Sequence, residues 1–588
     1  MKSFLITVAA VFTGLAIFLI GVPLLLISAA AGALAPEPLP ARMVLNLDLR
    51  GALSDQDAGL SSFLRGGSTS VISVVQTLRR AEKDDRVKAV LIRLPEGGIS
   101  PATADELRLA VLHFRATGKS VFAHSQGLYP SGAIASTYML GGTADRFWMQ
   151  PDSSFQAVGM SNQDVFLKRA FDKYGVQADY AQRYEYKNAV NPYLYSDYTA
   201  AHRESELGWM GSVYNSAINA AATDRKTDAA ALHATLEAGP YSAQDAKAKG
   251  LVDQIGQVKE AQDALIKIAG EGTKLTEFHD YQGALKALDL AGRPTIAFIG
   301  AEGAIMTGSG DTSNPFSGDT TVHSDDIAKA LYDAADDKSV KAIVFRVSSP
   351  GGSDTASEQI LAAVLAAKAV KPVVVSMGTY AASGGYWISS GATEIVADPT
   401  TLTGSIGVYG GKFALGDALG RFGVDMKGLK VGGDYADVFD TASAMTPAQK
   451  AKFEAWMDQI YNGFVGRVAA GRHLPVERVR EIAKGRVWTG EQAKGLGLVD
   501  HLGGFYDAMD RAKVLAKIDG DARLKRFGGA TSPLGKLGRT LGMTETSVRT
   551  LAASAWLLGD PNAKKILDQV LQAKLRSEGA RVLAPTPF

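Results

Sequence analysis

The chain contains no cysteine. Disulfides, thiolate nucleophiles and thiolate metal sites are therefore excluded. Histidine is scarce: eight in 588 residues, at 113, 124, 202, 233, 279, 323, 473 and 501, with no HExxH pair or other ligand spacing. That scatter argues against a zinc enzyme, and no metal or cofactor is expected. An excess of one charge is missing too. The 62 basic and 61 acidic residues leave a net charge of +1 and form no basic arm, so nucleic acid is not an expected partner. What is present is a globular composition, 46% apolar and 21% charged. The length points to several domains or one repeated architecture.

Charge is also absent locally. After Lys2, residues 3–35 carry none, and residues 4–27 are nearly all apolar. That run exceeds the roughly 20 residues a membrane span needs and the roughly 7–15 of a secretory h-region. Ala33-Leu34-Ala35 resembles a cleavage box, but Pro36 follows it and disfavours cleavage. The expectation is an uncleaved N-terminal transmembrane anchor over 1–35. Lys2 then stays in the cytoplasm and the body lies on the far, periplasmic side of the inner membrane.

After the spacer PEPLP at 36–40 the chain repeats itself. MVLNLDLRG (43–51) has a counterpart in TIAFIGAEG (295–303), and VKAVLIRL (87–94) in VKAIVFRV (340–347). Each of the second pair is followed by two glycines, a helical stretch and another apolar strand. The halves also end alike, AKAKGLVD (246–253) against AKGLGLVD (493–500). Short, β-branched, nearly continuous apolar runs read as buried parallel strands. Strands alternating with helices predict an α/β fold. A period near 250 residues means a duplicated domain.

In the second half, AASGGYWI (381–388) encloses one serine in small residues. Ser383 at a helix start, followed by Gly384, suits a nucleophile whose neighbour's N–H serves an oxyanion. Upstream, SPGGS (349–353) follows a buried strand, and a glycine turn at Gly351 and Gly352 can aim a second N–H at the same point. A close helix–strand contact would explain the same small residues. Comparing the halves sharpens the choice. Setting Pro399 over Pro151 gives an offset of 248 (399 minus 151), which places Ser383 opposite Ala135 and Tyr386 opposite Tyr138. At the same offset Lys187, in YKNAV (186–190), faces Tyr435. Each half thus holds one candidate catalytic group that the other lacks. A lysine serves as base only when neutral, which burial promotes. The flanking Tyr184, Tyr186 and Tyr193 are the expected walls of its site. Ser405, in LTGSIGV (402–408), is either a partner of the lysine amine or an ordinary turn serine.

These motifs together resemble the signal peptide peptidase family in its long, duplicated bacterial form, over roughly residues 4–514. The resemblance implies two tandem repeats with the fold of the Clp protease proteolytic subunit and the crotonases. The first, 41–280, carries the lysine. The second, 294–524, carries the serine, and a tail follows at 525–588. It implies a serine endopeptidase with Ser383 as nucleophile, Lys187 as general base and Ser405 orienting the lysine. Gly384 and either Gly351 or Gly352 are the implied oxyanion donors. It also implies a homotetramer at the bacterial inner membrane, acting on remnant signal peptides and other unfolded apolar peptides. Tyr380, where asparagine is usual, and Asn191, where an acidic residue is common, depart from the family pattern. Two rival readings are a crotonase-type acyl-CoA enzyme and a non-catalytic peptide-binding scaffold. The anchor and the Ser383/Lys187 complementarity argue against the first, and the intact set of groups against the second. Whether the two groups meet within one protomer or across an interface stays open, with the first arrangement favoured.

Overall fold

The computed structural model describes residues 38–56, 69–285, 292–310 and 321–528. The anchor expected over 1–35 lies outside them, as does the tail from 529 onward. Among the described residues no helix is long and apolar enough to cross a membrane.

The first half runs β1 (Met43–Asp48), α1 (Val71–Lys83), β2 (Val87–Leu94), α2 (Pro101–Ala116), β3 (Ser120–Ser125), α3 (Ile134–Gly142), β4 (Arg146–Met149), β5 (Gln177–Arg183), α4 (Ala200–Arg225), β6 (Gln254–Ile255) and β7 (Lys274–Glu277). The second runs β8 (Thr295–Glu302), α5 (Ser324–Asp336), β9 (Val340–Ser349), α6 (Asp354–Lys368), β10 (Val373–Ala382), α7 (Gly384–Ser389), β11 (Glu394–Ala397), β12 (Leu402–Gly404), β13 (Val408–Ala414), α8 (Pro447–Arg472), β14 (Val487–Thr489), β15 (His501–Leu502), α9 (Phe505–Leu515) and β16 (Arg523–Phe527).

Six strands of each half form a parallel sheet, and the order is the same in both. The first is β6-β4-β3-β2-β1-β7 and the second β15-β11-β10-β9-β8-β16. Both sheets shift register at the same place, between Met43 and Val44 and between Thr295 and Ile296. The duplication is therefore carried in topology as well as in motif. The continuous apolar runs follow from burial on both faces: every residue of β2 except Lys88 and of β9 except Lys341 is buried. The helices between them start on side-chain caps. Ser70 accepts from the N–H of Ser73 at 3.2 Å and Ser353 from that of Ala356 at 3.3 Å. The second repeat ends beyond the expected 524, because β16 continues to Phe527 with Arg526 paired to Phe298.

Alternation along the second sheet decides how the halves join. Ile296, Phe298, Ala342, Val344, Val374 and Val396 belong to the same apolar cluster as Leu78, Leu107 and Phe114 of the first half. Their neighbours Ala297, Ile299, Ile343 and Phe345 face the helices of their own half. One charged group is sealed in this interface. Arg346 of β9 meets Asp55 at 2.6 Å and Glu106 at 2.9 Å, and donates to Ser376 Oγ at 2.8 Å. Burial by itself lowers its pKa, but the two first-half carboxylates outweigh that and leave it above the ordinary arginine value.

Candidate active site

Ser383 stands where β10 turns into α7. Its backbone has φ 54° and ψ −119°, a region costing a non-glycine residue roughly 1–3 kcal/mol. Two hydrogen bonds hold it there: its N–H donates to Gly404 O and its carbonyl accepts from Trp387 N–H, both at 2.9 Å. The surrounding small residues are required by space. A Cβ on Gly385 would stand 2.4 Å from Ser349 O, and one on Gly351, which has φ +109°, 2.7 Å from Gly384 N. The glycine turn therefore lies directly against the serine. Gly351 N–H donates to Ser349 Oγ at 3.2 Å. Among the described residues no acceptor takes the N–H of Gly352 or of Gly384. Of the two candidate turn glycines, Gly352 is the one with a free donor.

Lys187 comes from the other half and reaches this point within the same chain. Its Nζ stands 3.0 Å from Ser383 Oγ, 2.9 Å from Ser405 Oγ and 2.9 Å from Ser405 O. The residue is 4% exposed and has no carboxylate within ion-pair reach among the described residues. Burial alone pulls its pKa down to about 7. Ser405, with φ 48°, is pinned by its N–H donating to Arg486 O at 2.8 Å.

Elements that sequence reading passed over bring the lysine here. Strand β5 of the first half pairs antiparallel with β13 of the second, from Gln177↔Ala414 to Arg183↔Val408. This ribbon ends four residues before Lys187 and begins three after Ser405. The segment at 484–486 closes the arrangement. Lys484 O accepts from the N–H groups of Tyr184 and Tyr186, each at 3.2 Å. Gly485, at φ +84°, lies so near Lys187 that a Cβ there would stand 2.5 Å from the lysine Cβ. The three tyrosines do not wall the amine as expected. Tyr184 packs on Tyr461, Tyr186 lies under Arg486 and Tyr193 packs on Phe413. The groups bonded to the amine, Ser383 and Ser405, both come from the opposite half.

The remaining expected positions are accounted for. Ala135 is buried near the start of α3, and Tyr435 packs beside Val438 and Phe453. Asn191 is buried and donates to Asn188 Oδ1 at 3.2 Å, while Tyr380 is exposed; neither bonds to Ser383 or Lys187. The site lines one cavity of about 960 Å³, whose apolar wall includes Trp387, Phe453, Trp456, Met457, Ile460 and Phe464. A larger cavity of about 1150 Å³, beside α1 and β16, contains neither Ser383 nor Lys187. Among the described residues no cluster of acidic and histidine side chains fits a metal ion.

A serine against an amine whose burial favours the neutral form, with free backbone donors alongside, has the parts list of nucleophilic acyl transfer. Comparison with known proteins narrows that class. A model of Peptidase family S49 matches residues 113–270 and 366–519, just over half of the chain. Protease 4 of Salmonella typhi is 34% identical over 505 residues, covering 81% of this chain and 79% of that protein. Protease 4 of Haemophilus influenzae is 32% identical, covering 88% and 85%. The chloroplastic serine protease SPPA of Arabidopsis thaliana is 28% identical, covering 81% and 69%. This chain belongs to Peptidase family S49, a family of serine proteases.

Proposed function

We propose that the protein is a membrane-anchored serine endopeptidase using a Ser383/Lys187 dyad, assembled as a homotetramer on the periplasmic face of the bacterial inner membrane. The 3.0 Å approach of Lys187 Nζ to Ser383 Oγ carries the catalytic part of this reading. A neutral amine has two N–H groups and one lone pair. Ser405 O and Ser405 Oγ take the N–H groups, which leaves the lone pair for the serine proton. Lys187 removes that proton as Ser383 Oγ attacks the scissile carbonyl carbon. The resulting oxyanion receives hydrogen bonds from Gly384 N–H and Gly352 N–H. The lysine then gives its proton to the leaving amine, and the C–N bond breaks. A water molecule, deprotonated by the same amine, hydrolyses the acyl-serine and restores Ser383.

The apolar cavity wall supports extended apolar peptides as substrates, remnant signal peptides among them. The anchor and the location rest on the uncharged residues 3–35. The tetramer rests on family resemblance. Detergent-solubilised protein should cut a synthetic signal peptide, and the Ser383→Ala and Lys187→Ala forms should leave it whole. Cleavage by Ser383→Ala at the wild-type rate would remove the serine from the role of nucleophile.

A further inference from the structure

The cavity that holds Ser383 and Lys187 is also lined by Asp164, His202 and Glu206, three polar residues of the first half that the proposed chemistry does not use. His202 and Glu206 stand one turn apart at the start of α4, and Asp164 comes from the loop at 160–166. His202 is 3% exposed and its Nδ1 has no hydrogen-bond partner. Its Nε2 stands 3.7 Å from Asp164 Oδ2 and 3.8 Å from Glu206 Oε1, both beyond hydrogen-bond length. Glu206 accepts from Trp209 Nε1–H at 3.1 Å. Neither carboxylate has a lysine or arginine within 4.0 Å among the described residues.

Half-buried carboxylates are normally paired. Here two of them converge on a buried imidazole inside a substrate-sized cavity; their hydrogen-bond partners are neutral, Asn162 for Asp164 and Trp209 for Glu206, and among the described residues no lysine or arginine meets them. Burial disfavours protonation of His202 more than Asp164 favours it, so its pKa falls below the ordinary histidine value and the ring does not serve as that cation at neutral pH. The complement to such a group is a cation brought by the ligand.

We infer that Asp164, Glu206 and His202 form a subsite for a lysine or arginine side chain of the peptide substrate. The subsite rests on the peptidase reading and refines it: the preferred substrate is an apolar segment with a basic residue at a fixed distance from the scissile bond. Secretory signal peptides have that composition, a positively charged n-region followed by an apolar core. The carboxylates accept the ammonium or guanidinium hydrogens, and the apolar wall takes the rest of the strand. Asp164 and Glu206 are specificity residues in this scheme and touch no reacting atom.

The test is a lysine scan through an N-acetylated apolar peptide, with norleucine at the other scan positions, so that the α-amino group plays no part. Affinity is read by fluorescence anisotropy on the Ser383→Ala form, and kcat/KM on the active enzyme. One lysine position should tighten binding and raise kcat/KM by about 10-fold, the scale of a charge-assisted hydrogen bond in a half-buried setting. In Asp164→Asn and in Glu206→Gln that gain should disappear, while cleavage of the all-norleucine peptide stays at its original rate. The isosteric amides keep the fold, and unchanged melting of each variant checks it. A flat scan, or a lysine preference that survives both substitutions, overturns the subsite even if apolar peptides are still cut. A lysine preference in binding without any cleavage keeps the subsite and instead overturns the peptidase reading.

Discussion

At the scale of residues, the site depends on one buried amine. Lys187 is desolvated with no carboxylate within ion-pair reach among the described residues, and burial brings its pKa down to about 7. Ser405 supplies neutral acceptors only, which hold the amine without recharging it. Replacing either Ser383 or Lys187 by alanine should therefore cut kcat/KM by about 10³-fold or more with folding intact, because the two act as one proton-transfer unit. Lys187→Arg should be as inactive as the alanine form, since a guanidinium stays charged. Turnover of an apolar peptide by Lys187→Arg above one-tenth of wild type would exclude lysine as the base. The pairing was legible in the sequence because each half keeps one group in a short local run and lacks the other at the 248-residue offset. The lysine's surroundings were not legible, because Tyr184, Tyr186 and Tyr193 are its neighbours along the chain and not its walls in space.

At the scale of elements, strands read well and the ribbon did not. The runs 87–94 and 340–347 announce themselves because parallel strands covered on both faces must be apolar throughout. Strands β5 and β13 carry tyrosines, glycines and charged residues, and their pairing uses backbone groups that leave no pattern in side chains. Their counterparts at the same offset, 425–431 and 160–166, form no strand, so the repeat gave no second example to compare. The turn at 484–486 escaped for the same reason: it acts through Lys484 O, Arg486 O and the missing side chain of Gly485. Gly485→Ala should push the lysine backbone aside. A displacement near 1 Å costs about 10²-fold in rate, so kcat/KM should fall on that scale while the thermal midpoint moves far less than for a core mutation. Activity equal to wild type in Gly485→Ala would show that this contact does not position the base.

At the scale of the whole molecule, duplication has become division of labour. Two sheets of one topology share a core; Lys187 of one half meets Ser383 of the other, and the first-half position matching Ser383 is Ala135. Ala135 is buried in α3 where a second nucleophile would stand, so Ala135→Ser in a Ser383→Ala background should stay inactive: at the 248-residue offset the position matching Lys187 is Tyr435, which cannot replace the amine. Because Lys187 meets Ser383 within one chain, co-assembled Ser383→Ala and Lys187→Ala chains should also stay inactive. Recovery of peptide cleavage in the mixture would mean that neighbouring subunits complete the site. The joint between halves has its own test. Arg346→Met strands Asp55 and Glu106 in the interface without their cation, a loss of about 3–5 kcal/mol for a broken buried pair. Thermal unfolding should reveal a clearly lower midpoint, and an unchanged one would mean that the pair does not tie the halves together.

The most direct measurement of the central claim is the pH dependence of Ser383 phosphonylation by a fluorophosphonate, in which the serine oxygen displaces fluoride from phosphorus, in the wild type and in Lys187→Ala. Raising pH through the folded-state pKa converts the ammonium to the free base, so the wild-type rate should rise through about pH 7 and then level off. In Lys187→Ala that rise should vanish along with most of the rate. A wild-type profile that keeps its midpoint and amplitude after the lysine is removed would contradict Lys187 as the base.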